Sequence, residues 1–206
     1  MNSTTPKQFL EVNSKPILMH TIDRMHESLP SSEIILALPN PELNTWEMLC
    51  KKHGYNILHT VVEGGKNRFE SVKNALQKVK EKSVVAIHDG VRPLVKKSVV
   101  RQCMQSAQDK NAAIPALAIE ESLRKKTDKG SVVVNRNDFI IVQTPQCFNS
   151  ETILEAYQQN YNPSFTDDAS VVESMGVPIT IVKGNKENIK ITTPEDLKLA
   201  EVYTSF

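Results

Sequence analysis

Cysteine is scarce in this chain: Cys50, Cys103 and Cys147 are the only three in 206 residues, and they lie far apart. An odd, scattered set excludes a disulfide framework and a zinc site. It points to reduced thiols in a cytoplasmic setting, filling core space rather than acting as nucleophiles. Long apolar runs are absent too, and so are a signal peptide, low-complexity tracts and internal repeats. The chain therefore shows neither a membrane span nor a linker. Charge of one sign is also lacking: the formal net charge is +1, so no bulk field draws nucleic acid or an anionic surface. No basic stripe is interleaved with aromatics, and no G-x-G-x-x-G follows a strand, which argues against nucleic-acid binding and against a dinucleotide oxidoreductase. What remains is ordinary in amount, 39% hydrophobic and 24% charged residues, enough for one full core.

The apolar pattern supplies the architecture. Residues 1–5 are polar and read as loose chain, and Pro6 to Val12 reads as a turn with a short extended segment. Helical spacing over Pro16–Leu29 is followed by a strand over Glu33–Leu38, a helix over Pro41–His53 stopped at Gly54, and a strand over Asn56–Val62. Gly64-Gly65 turns the chain into an amphipathic helix over Asn67–Lys80. Ser83–Ile87 is a buried strand, Lys97–Asp109 a helix and Ala112–Ala118 a strand. This alternation predicts an α/β fold, a mostly parallel sheet with helices on both faces. Residues 119–143 break the rhythm. Lys125–Gly130 reads as a turn between two arms, Glu121–Arg124 and Ser131–Val134, forming a polar hairpin too thin to stand alone. A second copy of the chain is the simplest neighbour for it. The last third returns to α/β: a helix capped by Ser150, a helix capped at Thr166-Asp167-Asp168 and stopped at Gly176, a strand over Ile179–Val182, and a C-terminal helix opened by Thr193-Pro194-Glu195.

The chemistry gathers at strand ends. His88-Asp89-Gly90-Val91-Arg92-Pro93 leaves a carboxylate and an arginine at the carboxyl end of a buried strand, the edge where open α/β sheets bind ligands. One carboxylate there can hold a divalent cation, and the arginine can fork onto phosphate oxygens. A capping aspartate beside a surface arginine is the plainer alternative. Gly64, Gly65, Arg68 and Ser71 flank a helix start, where outward N–H groups favour an anion or a base edge. A mere turn is the alternative. Lys7 and Lys190 also sit beside turns, and each alone reads equally as a solvated surface charge. Taken together, these groups suggest a phosphate-rich ligand above the sheet's carboxyl edge.

The blocks Pro-Lys-Gln-Phe at 6–9, Gly-Gly-Lys-Asn-Arg-Phe-Glu-Ser-Val at 64–72, His-Asp-Gly-Val-Arg-Pro at 88–93, Asn-Arg-Asn at 135–137, Gln-Thr-Pro-Gln at 143–146, Thr-Asp-Asp-Ala-Ser at 166–170 and Glu-Asn-Ile-Lys-Ile-Thr-Thr-Pro-Glu-Asp-Leu at 187–197 resemble, in order, the 2-C-methyl-D-erythritol 4-phosphate cytidylyltransferases. The resemblance implies a Rossmann-like nucleotidyltransferase domain over 1–206, with a β-arm at about 119–143 that embraces the partner of a homodimer. It implies attack of the sugar-alcohol phosphate on the α-phosphorus of CTP, with loss of pyrophosphate and help from Mg²⁺. By this carry-over Lys7, Lys190 and Arg136 of the partner chain are catalytic, and Asp89 holds the metal. Gly64, Gly65, Lys66, Arg68 and Ser71 form the nucleotide pocket. Arg92, Ser122, Thr144 and Thr166 line the acceptor site, with Asp89, Arg136 and Lys190. Ser122 stands where many relatives carry threonine, and its hydroxyl can make the same hydrogen bond.

One departure stands out. Members begin with an apolar strand and a glycine-rich loop ahead of Pro-Lys-Gln, and these are absent before Pro6 here. The expectation is a sequence truncated at its start rather than a defective remnant, with unpaired strand edges as a consequence. Ribitol-5-phosphate cytidylyltransferase is the nearest alternative, and Asn135-Arg136-Asn137 leans toward methylerythritol phosphate. A non-catalytic dimeric relative is the alternative from another class.

Overall fold

The computed structural model describes residues 5–80 and 82–204. The polar start therefore lies outside the described residues, except for Thr5. A 3-10 turn at Lys7–Phe9 leads into a small antiparallel pair, β1 (Glu11–Val12) and β2 (Lys15–Pro16). Pro16 then precedes α1 (Ile17–Ser28), where its fixed φ suits the entry to a helix. Next come β3 (Ile35–Leu38), α2 (Leu43–His53), β4 (Thr60–Glu63), α3 (Arg68–Leu76), β5 (Val84–Ile87), α4 (Lys97–Lys110) and β6 (Ala112–Ala118). The hairpin expected to be an arm is β7 (Arg124–Thr127) and β8 (Gly130–Val133), a separate antiparallel pair. It is followed by β9 (Ile140–Val142), β10 (Gln146–Asn149), α5 (Ser150–Ala156), α6 (Asp168–Glu173), β11 (Thr180–Lys183) and α7 (Pro194–Thr204).

The main sheet has the order β11-β6-β10-β5, with β9 also on β6. It is mixed, which corrects the mostly parallel expectation. Strand β10 runs antiparallel to both β5 and β6, while β11 is parallel to β6. Strands β3 and β4 form a separate parallel pair. Among the described residues β3 pairs with β4 alone and β5 with β10 alone. Pro115 lies inside β6 without breaking it. Its carbonyl accepts from Gln143 N–H at 2.8 Å, so the missing N–H falls on the same side, in the gap between the β10 and β9 ladders.

Period-two alternation sends the sheet's side chains to two faces. Val85, Ile87, Ala112, Ile114 and Phe148 meet Phe69, Leu76, Ile153, Tyr157 and Val172 of α3, α5, its following residue and α6. Val84, Ala86, Ala113, Cys147 and Val182 meet Cys103, Met104 and Ala107 of α4. Helices on both faces are thus confirmed. Phe148 is fully buried, and truncating such a side chain costs about 3–5 kcal/mol. Cys103 and Cys147, distant in sequence, share that second cluster, and burial pushes the Cys147 thiol well up, as core thiols require.

Local signals were mostly followed. Gly54 stops α2 at φ +55°, a left-handed cap that glycine adopts without strain. Helix α3 ends earlier than its apolar period, at Leu76, because Lys78 and Val79 N–H groups turn back to Ala75 and Leu76 carbonyls. Asn149, not Ser150, caps α5, its side chain accepting from Glu151 N–H at 2.9 Å. The arm's turn is shorter than expected. Asp128 and Lys129 suffice, because Gly130 takes φ +123° and lets Lys125–Thr127 join the ladder.

Candidate active site

The carboxyl ends of β3, β4 and β5, and the loop after β11, bring the singled-out residues to one edge. Leu10 packs with Val12, Val91, Leu94 and Ile191, and Ile191 N–H donates to Val91 O at 3.0 Å. That small core ties the Lys7 turn, the Asp89–Arg92 turn and the Lys190 loop together. Gly64 N–H donates to Leu38 O at 2.8 Å, which seats the glycine turn at the end of β3.

Asp89 is the centre of the charge. Its side chain is 13% exposed, and its Oδ2 receives both Arg92 Nε at 3.0 Å and Lys190 Nζ at 3.2 Å. Burial works to raise this carboxyl, but Lys190, Arg92 and the field of Arg68 outweigh it and hold the group below the ordinary carboxylate range. Among the described residues no hydrogen bond falls on Oδ1. Arg92 is fixed in turn by Asn188 O, which accepts from Nη1 at 2.8 Å.

Arg68 opens α3 and forks onto Asp168, with Nη1 to Oδ1 at 2.8 Å and Nη2 to Oδ2 at 2.5 Å. Asp168 is fully buried and also accepts from Tyr157 OH at 2.6 Å. Burial works to lower the Arg68 guanidinium, but Asp168, with Asp89 adding to it, outweighs that and raises it, so it stays a fixed cation. The charges near Asp89 are then three cations and two carboxylates. The surplus is positive, as a polyphosphate site requires.

The glycine turn closes on α3 rather than leaving its amides bare. Gly65 N–H donates to Ser71 Oγ at 3.0 Å, Lys66 N–H to Glu70 Oε2 at 2.9 Å and Glu70 N–H to Asn67 Oδ1 at 2.9 Å. Ser71 Oγ in turn donates to Asn67 O at 2.8 Å. A Cβ on Gly65 would stand 2.2 Å from Glu70 Cβ, so only glycine fits. Lys66 is exposed beside this turn.

Other expected site residues are placed differently. Lys7 is exposed, and its side chain has no hydrogen bond or ion pair among the described residues. Thr144 is buried, and its hydroxyl accepts from Asp89 N–H at 3.1 Å and meets His88 Nδ1 at 2.8 Å. Ser122 and Thr166 are exposed. Arg136 lies in a 3-10 turn, Arg136–Asp138, and its Nη1 donates to Glu120 O at the arm's base. No hydrogen bond or ion pair joins it to Asp89 or Lys190 of its own chain among the described residues. Sequence reasoning missed His88, Tyr157 and Asn188. Only the His-Asp juxtaposition was visible beforehand, because His88 and Asn188 meet Thr144 from 56 and 44 positions away and Tyr157 meets Asp168 across a change of helix.

A family model, IspD: 2-C-methyl-D-erythritol 4-phosphate cytidylyltransferase, matches residues 1–205. The chain belongs to this cytidylyltransferase family. A Bacteroides fragilis protein with that family's name is 49% identical over 200 residues, covering 97% of this chain and 91% of its own. One from Bacteroides thetaiotaomicron is 48% identical over 199 residues, covering 97% and 91%. The crystal structure of the Thermus thermophilus cytidylyltransferase superposes with a TM-score of 0.79 at 29% identity, over 98% of this chain and 94% of that one.

Proposed function

We propose that this cytidylyltransferase transfers CMP from CTP to 2-C-methyl-D-erythritol 4-phosphate, giving 4-diphosphocytidyl-2-C-methyl-D-erythritol and pyrophosphate. The observation that carries the reading is the charge cluster at the sheet edge: Asp89 between Arg92 and Lys190, in the field of Arg68, beside the glycine turn. In such a reaction two polyanions meet at one phosphorus, so positioning and charge supply most of the acceleration.

Lys190 and Arg92 hold the incoming phosphate. Lys7, unpaired and exposed, reaches the α-phosphate and stabilises the charge that develops there. Arg136 of a second copy completes the set. Gly64, Gly65, Lys66 and Ser71 bound the cytosine, Arg68 steadies that pocket, and Ser122 and Thr166 line the acceptor side. No general base is needed, since the attacking phosphate is already ionised.

The residues fit a magnesium ion of one kind only. The described residues hold no cluster of three His, Cys, Asp or Glu, but Asp89 Oδ1 takes no hydrogen bond among them, and Mg²⁺ is commonly held by one carboxylate plus substrate phosphates. Bound there, the ion would neutralise phosphate charge and align the triphosphate.

Homodimerisation through the arm fits its surface. Val132, Val133, Phe139, Ile140 and Ile141 are all at least 47% exposed, an apolar stretch that a second copy would cover. Pyrophosphate release from CTP and Mg²⁺, compared between methylerythritol phosphate and ribitol 5-phosphate, tests the reading. Preference for ribitol phosphate, or no turnover with either, would overturn it.

A further inference from the structure

We propose that His88 is a positioning residue for Asp89, acting through the hydroxyl of Thr144. The inference rests on the reading of Asp89 as the carboxylate around which the reaction is organised. For a neutral imidazole the hydrogen bonds around His88 allow one arrangement of protons. His88 Nε2 lies 2.9 Å from Arg92 O, a pure acceptor, so Nε2 carries the proton. His88 Nδ1 is then a lone pair, and it faces Thr144 Oγ1 at 2.8 Å. Thr144 must donate its proton there, which turns the remaining lone pairs of Oγ1 toward Asp89 N–H at 3.1 Å.

The chain of contacts closes on itself. His88 grips the backbone of Arg92 at one nitrogen and, through Thr144, the backbone of Asp89 at the other. Arg92 and Asp89 also meet side chain to side chain at 3.0 Å. Thr144 is itself anchored by Asn188, whose Nδ2 donates to Thr144 O at 2.8 Å. The turn that presents the carboxylate is therefore braced from both sides by a side chain whose two ring nitrogens are both committed within the protein. The Thr144 hydroxyl, expected to line the acceptor site, has its donor committed inward instead.

Two substitutions separate the nitrogens. His88→Gln keeps a donor near the Nε2 position and loses the acceptor at Nδ1. His88→Asn keeps an acceptor near Nδ1 and loses the Nε2 donor. Steady-state kinetics with CTP, methylerythritol phosphate and saturating Mg²⁺, with melting temperatures alongside, read the result. His88→Gln and Thr144→Val each lower kcat by about tenfold or more, with KM for CTP little changed, because a carboxylate displaced by a fraction of an ångström weakens the transition state. The double variant is no worse than the poorer single one, and His88→Asn and Thr144→Ser recover most of kcat. Wild-type kcat in His88→Gln, or equal losses in the Gln and Asn variants, would overturn the inference. Should His88→Gln not fold, the Thr144→Val and Thr144→Ser pair carries the same contrast, and wild-type kcat in Thr144→Val overturns it. Asp89→Asn separates the two levels. Full turnover there removes the reading of Asp89 and this inference with it. An inactive Asp89→Asn beside a fully active His88→Gln removes the inference alone.

Discussion

Tyr157 and Arg68 share a single carboxylate oxygen: Tyr157 OH reaches Asp168 Oδ1 at 2.6 Å and Arg68 Nη1 reaches it at 2.8 Å. Asp168 has no access to water. The contact clamps the start of α3, and with it the glycine turn, to the start of α6.

Arg68→Ala should therefore cost more than its surface position suggests. It strands a buried carboxylate with one neutral donor, and breaking such a pair costs about 3 kcal/mol or more. For a chain of this length that lowers the melting temperature by roughly 6–12 °C. Thermal unfolding of Arg68→Ala with a shift under 2 °C, a small fraction of that estimate, would show the clamp to be loose.

Glu187 makes stability depend on acid. Its own backbone N–H, then Lys96 and Asn185, bring the carboxyl down from 4.5 to about 2. A depressed folded value means that the contribution is present above about 4.5 and fades as pH falls toward 2. Glu187→Gln should be the less stable protein at pH 7, and the gap should close near pH 2. Urea unfolding at several pH values measures it, and a gap that persists undiminished at pH 2 refutes it.

Lys7→Ala and Lys190→Ala should each reduce turnover about a hundredfold, roughly 3 kcal/mol of transition-state stabilisation. They should differ in stability. The Lys7 side chain has no hydrogen bond or ion pair among the described residues, so its variant melts as wild type does, whereas Lys190→Ala removes one of the two cations on Asp89. Near-normal kcat in either variant removes that lysine from the catalytic set.

Val133→Asp places a charge on the arm's apolar stretch, at a side chain 75% exposed in the single chain. Sedimentation should show a change from dimer to monomer, and turnover should fall with it, since Arg136 would no longer reach a second copy. A dimer of unchanged mass would place the interface elsewhere.

Much of this was legible in advance where a local signal sufficed. The apolar run ahead of Asp89, the glycine stop at 54 and strand β6 all follow from side-chain pattern and backbone freedom. Strand β10 did not. Gln146-Cys147-Phe148-Asn149 has too short an alternation to announce its direction, and its place between β5 and β6 is set by tertiary pairing. Strand β9, Ile140–Val142, carried a β-branched run that went unused because the arm was read as one hairpin. At the site, charge and position exposed Asp89, Arg92 and Lys190 early. The partners of Thr144 were not legible, since the direction of its hydroxyl depends on a histidine 56 positions away.

The reversed run of β10 has a consequence for biosynthesis. It sets Thr144 beside Asp89 although 55 positions separate them, and the second cation on that carboxylate comes later still, at Lys190. During translation the turn at 88–93 leaves the ribosome long before its brace and its counter-charge exist. A nascent chain halted short of the last α/β segment would carry Asp89 without the scaffold that aims it.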